Sequence, residues 1–144
     1  MQSETITARP LLSSAKALLE AADLPTADLT EQHCEHFFYL GSDESPSGLV
    51  GLEIYGEVAL LRSLVVAPGV RRAGAGSALV SHAEQTARSA GVRVIYLLTT
   101  TAEEFFAKRG YRRAIRDAAP PAIRATREFA GICPASSAFM TRTL

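Results

Sequence analysis

Two groups of residues in this chain have the types and spacing to do chemistry. The first is the run "VVAPGVRRAGAGSALV", in which Arg71, Arg72, Gly74 and Gly76 stand between an oily strand pattern and a long helical one. A helix N-terminus leaves its first N–H groups without partners and carries partial positive charge, so glycines there let an anion come close to the backbone. Two arginines add charge, and the ensemble reads as a pyrophosphate cradle. No Gly-Lys-Ser/Thr follows, as a Walker A loop would need, and the GxGxxG spacing of a dinucleotide site is missing. The second group is Glu53 and Arg62, two charges inside the otherwise apolar "LVGLEIYGEVALLRSLVVAP".

The elements that hold these groups follow from local signals. "ETITARP" predicts a short strand, and "PLLSSAKALLEAADL" has apolar residues at helical spacing. "HFFYLGS", taken with the "HCEH" before it, predicts a strand ending in the turn-rich "SDESPSG". Gly56 and Glu57 predict a two-residue hairpin turn with glycine first. That turn pairs Tyr55 with Val58, Ile54 with Ala59 and Glu53 with Leu60, so Arg62 becomes a diagonal neighbour of Glu53 at about 7 Å on the same face. The helix after the knot stops at Gly91. "VRVIYLLT" is a strand covered on both faces, "TAEEFFAKRG" is a short helix, "DAAPPAIRATREFAG" predicts a break and a further helix, and "SSAFMTRTL" predicts a last strand.

With 144 residues, 47% of them hydrophobic, the chain buries one core, and residues 1–144 are expected to form a single α/β domain. No run has the apolar length of a bilayer span and the first residues lack a secretion pattern, so the expected setting is cytoplasmic, without a membrane partner. Cys34 and Cys133 have no CxxC spacing, which suits a reducing compartment. Met1 to Arg72 holds 5 Lys/Arg against 10 Asp/Glu, and Ala73 to Leu144 holds 10 against 5, so the net charge of zero hides two opposite halves. Six C-terminal arginines, Arg109, Arg112, Arg113, Arg116, Arg124 and Arg127, read either as a solvated face or as an anion site. The balanced total, with no basic stretch interleaved with aromatics, argues against nucleic acid.

These motifs carry a resemblance. "VVAPGVRRAGAG" resembles the (Gln/Arg)-x-x-Gly-x-(Gly/Ala) acyl-CoA signature of the GNAT acetyltransferases, with Arg71, Gly74 and Gly76 at the marked positions. "AEEFFAKRGY", Ala102 to Tyr111, resembles that family's second signature. "LLRSLVVAP", "YLLTTTAEEFFAKRGY" and "REFAGICPASSAFM" resemble the bacterial members associated with arsenic resistance. The resemblance implies a GNAT fold: a mixed, mostly antiparallel central sheet, splayed between two parallel strands and flanked by helices. It places acetyl-CoA at the splay, with pantetheine on the backbone of Leu64, Val65 and Val66. Pyrophosphate falls on the amides of Arg72, Ala73, Gly74, Ala75, Gly76 and Ser77. Thr99 would stand for an asparagine that touches pantetheine, and Phe106 lies at the cofactor where relatives often have an acid tyrosine.

The departures matter for mechanism. Many relatives carry a carboxylate four residues before the position of Leu64, and here that residue is Leu60. Glu53, across the hairpin, is the candidate base, with Arg62, Glu128 and Ser137 as candidate contacts of the acceptor. The alternative for Glu53 and Arg62 is a structural ion pair on an exposed face. Tyr96, Tyr111 and Ser137 are candidate acids in place of Phe106. On a strand, His33 and Glu35 would face away from Cys34 and His36, so no metal is expected. The expected activity is transfer of acetyl to the primary amine of a small anionic molecule, an amino-acid-like arsenical among the candidates. A protein or peptide acetyltransferase and a non-catalytic acyl-CoA sensor stay open, as does a homodimer.

Overall fold

A computed structural model describes residues 5–68, 74–133 and 136–144. Among them are strands β1 (Thr7–Ala8), β2 (Phe37–Gly41), β3 (Pro46–Tyr55), β4 (Val58–Val66), β5 (Val94–Thr99), β6 (Arg112–Arg113) and β7 (Ala138–Thr143), with helices α1 (Leu12–Ala21), α2 (Ala75–Ser89), α3 (Glu103–Ala107) and α4 (Pro121–Arg124). The strands form one sheet in the order β1-β2-β3-β4-β5-β7-β6, in which β4 and β5 are the parallel pair. The result is the α/β fold expected from the sequence. The chain groups into two compact units, Met1–Glu53 with Leu61–Thr86, and Ile54–Leu60 with Ala87–Leu144.

In the first unit β2 pairs antiparallel with β1 and β3, with Phe37 opposite Gly51 and Tyr39 opposite Leu49. Phe37, Tyr39, Leu49 and Val65 bury their side chains against Ala15 and Leu19 of α1. Ala15 and Leu19 stand four apart, the spacing that puts two residues on one helix face. The Phe37 ring fills the space a side chain at Gly51 would take. Glycine at that position is therefore part of the packing.

Two local predictions differ from what forms. His33–His36 is a 3-10 turn, not the opening of β2. It is held by i→i+3 bonds in which His33, Cys34 and Glu35 donate N–H to Thr30, Glu31 and Gln32. Its side chains consequently do not alternate between two sheet faces. The break predicted in "DAAPPAIRATREFAG" follows a 3-10 turn at Arg116–Ala118, but the further helix predicted after it is not one element: it divides into Pro121–Arg124 and a π turn at Glu128–Ile132. Pro120 and Pro121 lack the N–H that a helix continuous with Arg116–Ala118 would use, and between the two later pieces the Thr126 hydroxyl donates to the Ile123 carbonyl and accepts the Phe129 N–H in place of helical bonds.

In the second unit β5 is central. Val58–Leu60 pairs parallel with Val94–Tyr96, and β7 runs antiparallel along the whole of β5, from Val94 opposite Thr143 to Thr99 opposite Ala138. Leu60, Ala119, Ile123 and Phe139 form its core, with Val58, Tyr96, Leu98, Ala114 and Phe129 packed around them. The β3–β4 turn is the two-residue one predicted. Gly56 has φ +65 while Glu57 is not among the positive-φ residues, as a type II′ turn requires. Gly91, at φ +90, ends α2, with the Val92 N–H bonded to the Ala87 carbonyl.

The contact between Gly51 and Phe37 yields a stability test. Gly51→Ala forces a methyl into the ring of a fully buried residue and should cost about 1–3 kcal/mol, read as a lower urea midpoint at unchanged slope. Adding Phe37→Leu should recover part of the loss. If Gly51→Ala unfolds at the wild-type midpoint, the ring does not occupy that space.

Candidate active site

Glu53 and Arg62 meet, and they do so inside the protein. The Arg62 side chain is 0% exposed and its Nη1 lies 2.6 Å from Oε2 of Glu53, whose side chain is 9% exposed. The same Nη1 donates to Oδ2 of Asp28 at 2.5 Å, Nη2 donates to Oδ1 of Asp28 at 2.9 Å, and Nε donates to Oγ of Ser63 at 3.1 Å. The guanidinium also lies over the Phe37 ring, 6.0 Å from its centre. An exposed ion pair is thereby excluded. So is the expectation that Arg62 receives a substrate anion: a buried fork already engaged with two carboxylates presents no open face to one.

A backbone feature of β4 makes this arrangement possible. Ser63 has φ +60, a left-handed conformation uncommon for a residue with a side chain, in the middle of a strand. On a regular strand Arg62 and Val65, three apart, would face opposite ways. With Ser63 bulged, Arg62 reaches the Phe37 ring while Val65 packs in the cluster that contains Phe37. The Ser63 hydroxyl accepts from the Arg62 Nε, tying the bulge to the ion cluster.

Asp28 and His33 are the partners that sequence reasoning did not reach. Burial pushes the Asp28 carboxyl pKa upward, but the Arg62 hydrogen bonds and charge, with His33 beside them, outweigh it and hold that pKa below the usual carboxylate range. The His33 Nδ1 accepts the Thr30 N–H at 3.2 Å, and its Nε2 lies 3.7 Å from Glu53 Oε2. Asp28, His33 and Glu53 each bring a ligand atom within 4.8 Å of the others. The Arg62 Nη1, at 2.5 Å and 2.6 Å from the two carboxylates, already supplies the positive charge between them, so the group is an ion-pair cluster.

The cofactor residues expected in the first unit lie along one run of chain. Leu64, Val65 and Val66 close β4 after the bulge, with Val65 buried and its neighbours half-buried. Arg71, Arg72 and Ala73 lie outside the described residues. Gly74, exposed and at φ +74, has nothing among the described residues within 4 Å of an added Cβ, and its carbonyl accepts the Ala78 N–H as the first bond of α2. Ala75, Gly76 and Ser77 follow as the first turn, which contains no acidic residue. A helix of 15 residues entered through an open glycine, without a carboxylate at its mouth, fits a phosphate group.

The remaining expected residues belong to the second unit. The Thr99 hydroxyl accepts the Ala102 N–H at 3.0 Å, leading into α3. Phe106 is buried, edge-on to Phe105 and Tyr111. Tyr96 stacks on Phe139. Glu128 and Ser137 are both buried. Cys34, in the first unit, is buried; burial, and then Glu31, push its thiol pKa up, which disfavours a thiolate ligand or nucleophile.

The depressed Asp28 carboxyl has a pH signature. Its stabilising effect is complete above the unfolded carboxylate value of about 3.9 and is lost as pH falls through the lower folded value. Asp28→Asn should therefore be less stable than the wild type at pH 7, and the gap should narrow near pH 3 in urea unfolding. An equal gap at both pH values would remove Asp28 as an ionised partner of Arg62.

Residues 8–114 match the Acetyltransferase (GNAT) family. An amino-acid acetyltransferase of Ralstonia nicotianae is 33% identical over 94 residues, 64% of this chain and 21% of that protein. The structure of N-acetylglutamate synthase from Neisseria gonorrhoeae, complexed with coenzyme A and N-acetyl-glutamate, superposes over 100% of this chain and 36% of that one, at TM-score 0.80 and 23% identity. A GNAT-family acetyltransferase from Staphylococcus aureus superposes over 99% of both chains, at TM-score 0.79 and 16% identity. The chain thus spans about a fifth of the length of the curated relative, 21%, and the whole of a smaller structural neighbour. From the match over residues 8–114, the chain belongs to the GNAT acetyltransferase family.

Proposed function

We propose that the chain is an N-acetyltransferase that moves acetyl from acetyl-CoA to the primary amine of a small, amino-acid-like carboxylate. The observation that carries this reading is the entry to α2. Eight residues beyond the end of β4 at Val66, the left-handed Gly74 opens onto a helix whose first turn has no acidic residue, the chemistry a pyrophosphate needs. Pantetheine lies along Leu64, Val65 and Val66, and Gly74, Ala75, Gly76 and Ser77 take the phosphates with Arg71, Arg72 and Ala73. A backbone N–H of the Leu64–Val66 run holds the developing oxyanion.

In the reaction the amine nitrogen bonds to the thioester carbonyl carbon, the C–S bond breaks, and the ammonium loses a proton. Glu53 is the proposed acceptor of that proton. Its carboxylate stands 2.6 Å from Arg62 and 3.7 Å from the His33 Nε2, at the edge of the buried cluster and 9% exposed. Phe106 has no proton to give. A thiol pKa of about 8.5 lets CoA leave as thiolate and take its proton from water, at a cost of roughly 10²-fold in rate relative to a positioned acid.

The names of the relatives support an amino acid as acceptor, and the sequence resemblance to arsenic-resistance proteins extends the proposal to an amino-acid-like arsenical and a part in detoxification. Phe106, buried among aromatic rings without a hydroxyl, favours one further reading, a non-catalytic acyl-CoA sensor. CoA release with acetyl-CoA and L-glutamate, L-glutamine, L-aspartate, glycine, an amino-acid arsenical and a lysine peptide separates the readings. Turnover of free amino acids above that of the peptide supports ours. Tight acetyl-CoA binding without release to any amine establishes the sensor. Gly74→Val should raise the acetyl-CoA Kd at least tenfold, about 1.4 kcal/mol, and unchanged binding in the folded variant removes the cradle. Glu53→Gln should lose turnover by roughly 10²-fold while binding acetyl-CoA normally. A variant that keeps its rate but melts lower makes Glu53 only a partner of Arg62.

A further inference from the structure

His33 stands between the buried ion cluster and the surface. Its side chain is 23% exposed and its Nε2 lies 3.7 Å from Oε2 of Glu53, while its Nδ1 faces Thr30, an exposed residue. Three contacts tie His33 to Thr30: the Thr30 N–H donates to Nδ1 at 3.2 Å, the Thr30 hydroxyl is 3.0 Å from the same nitrogen, and the His33 N–H donates to the Thr30 carbonyl at 3.1 Å. The fully buried Phe37 ring is edge-on to the imidazole, at 6.4 Å between centres.

These contacts decide where the imidazole proton sits. A backbone N–H can only donate, so the nitrogen it faces is the bare one, and the neutral ring carries its proton on Nε2. An N–H donor therefore stands on the side of Glu53. At 3.7 Å the contact is electrostatic rather than a full hydrogen bond. Arg62 Nη1 donates to the same Oε2 at 2.6 Å. Two donors, one from the 3-10 turn and one from β4, thus converge on one oxygen, and the carboxylate cannot rotate without losing both.

We propose that His33 is a positioning residue for Glu53: with its neutral ring fixed by Thr30, the Nε2–H holds the orientation of the carboxylate that takes the amine's proton. This deepens the acetyltransfer reading and rests on it. His33 acts through Glu53 and touches no reacting atom. The charged groups that face its ring among the described residues are Asp28, Glu53 and Arg62. Protonation would put a second N–H on Nδ1, against the Thr30 N–H that fixes the ring. It would also set a full positive charge beside Glu53, which favours the carboxylate over its protonated form and weakens it as a proton acceptor. Both effects lower turnover as pH falls.

Two variants separate the two ring nitrogens. His33→Gln keeps an amide N–H at the place of Nε2 and loses the acceptor for Thr30, whereas His33→Asn keeps an acceptor at the place of Nδ1 and loses the donor to Glu53. At pH 8, with acetyl-CoA and the best amino acid of the panel, His33→Gln should keep kcat within about threefold, and His33→Asn should lose about tenfold, with both KM values unchanged. A residue that only holds the turn predicts the reverse order, because Asn keeps the Thr30 bond. Wild-type kcat should also show an acid-side fall within the imidazole range, about pH 5–8, that His33→Gln lacks. In the ligand-free protein, nitrogen-15 NMR should show His33 protonated on Nε2 and bare on Nδ1, with His33→Gln assigning its signal among the three histidines. Wild-type kcat in His33→Asn, or a neutral His33 protonated on Nδ1, overturns the assignment. If Glu53→Gln keeps the wild-type rate, the reading of Glu53 as proton acceptor falls and this one with it; a loss in Glu53→Gln without one in His33→Asn removes this one alone.

Discussion

The first unit is organised around a guanidinium cut off from water. An arginine with no exposed side-chain surface is tolerated only when its charge and its N–H donors are matched, because desolvation otherwise exceeds anything packing returns. Arg62 meets that condition with carboxylates from two places, Asp28 in the loop after α1 and Glu53 on β3, plus the hydroxyl of its own neighbour Ser63. Each partner constrains the backbone that carries it. The loop must bring Asp28 to the sheet, β3 must keep its register so that Glu53 arrives on that face, and β4 must bulge at Ser63. The short 3-10 turn at His33–His36 then sets an imidazole against the same Glu53.

This cluster sits a few residues before the run proposed to carry acetyl-CoA, and the bulge connects the two. A strand that stays regular commits its N–H groups to ladders on both sides, whereas a bulge re-aims the backbone that follows it. Ser63 is therefore where the charge cluster and the end of β4 proposed to carry acetyl-CoA are coupled. Strain at its left-handed φ is offset by the Arg62 Nε bond and by the packing of Arg62 and Val65 on either side.

Local chemistry was legible in the sequence, and distant chemistry only where a strand register transmitted it. The Gly56–Glu57 turn, the stop at Gly91 and the left-handed Gly74 each depend on a conformation that glycine alone adopts cheaply, so their positions could be read directly. The Glu53–Arg62 pair could be read because a two-residue turn fixes which residues of two strands are neighbours. Asp28 could not, since it lies 34 residues from Arg62 in a loop whose "PTADLTEQ" has no periodicity to place it. "HCEH" adjoins an aromatic strand and has no breaker of its own, yet i→i+3 bonds to Thr30, Glu31 and Gln32 turn it into a 3-10 segment. Loop-to-sheet contacts of this kind are tertiary, and burial at Arg62 decides them.

The buried polar groups of the two units find their partners by different means. Arg62 is satisfied by the protein itself, so a ligand brought to it would have to displace Asp28 or Glu53 and would gain little in exchange. Ser137 is buried without a partner among the described residues, while two threonines of the same unit found carbonyls within reach. A buried hydroxyl without a partner among the described residues loses its hydration without a return. Among the described residues, the charged cluster of the first unit closes on itself, and the second unit meets its buried threonines with carbonyls of its own backbone.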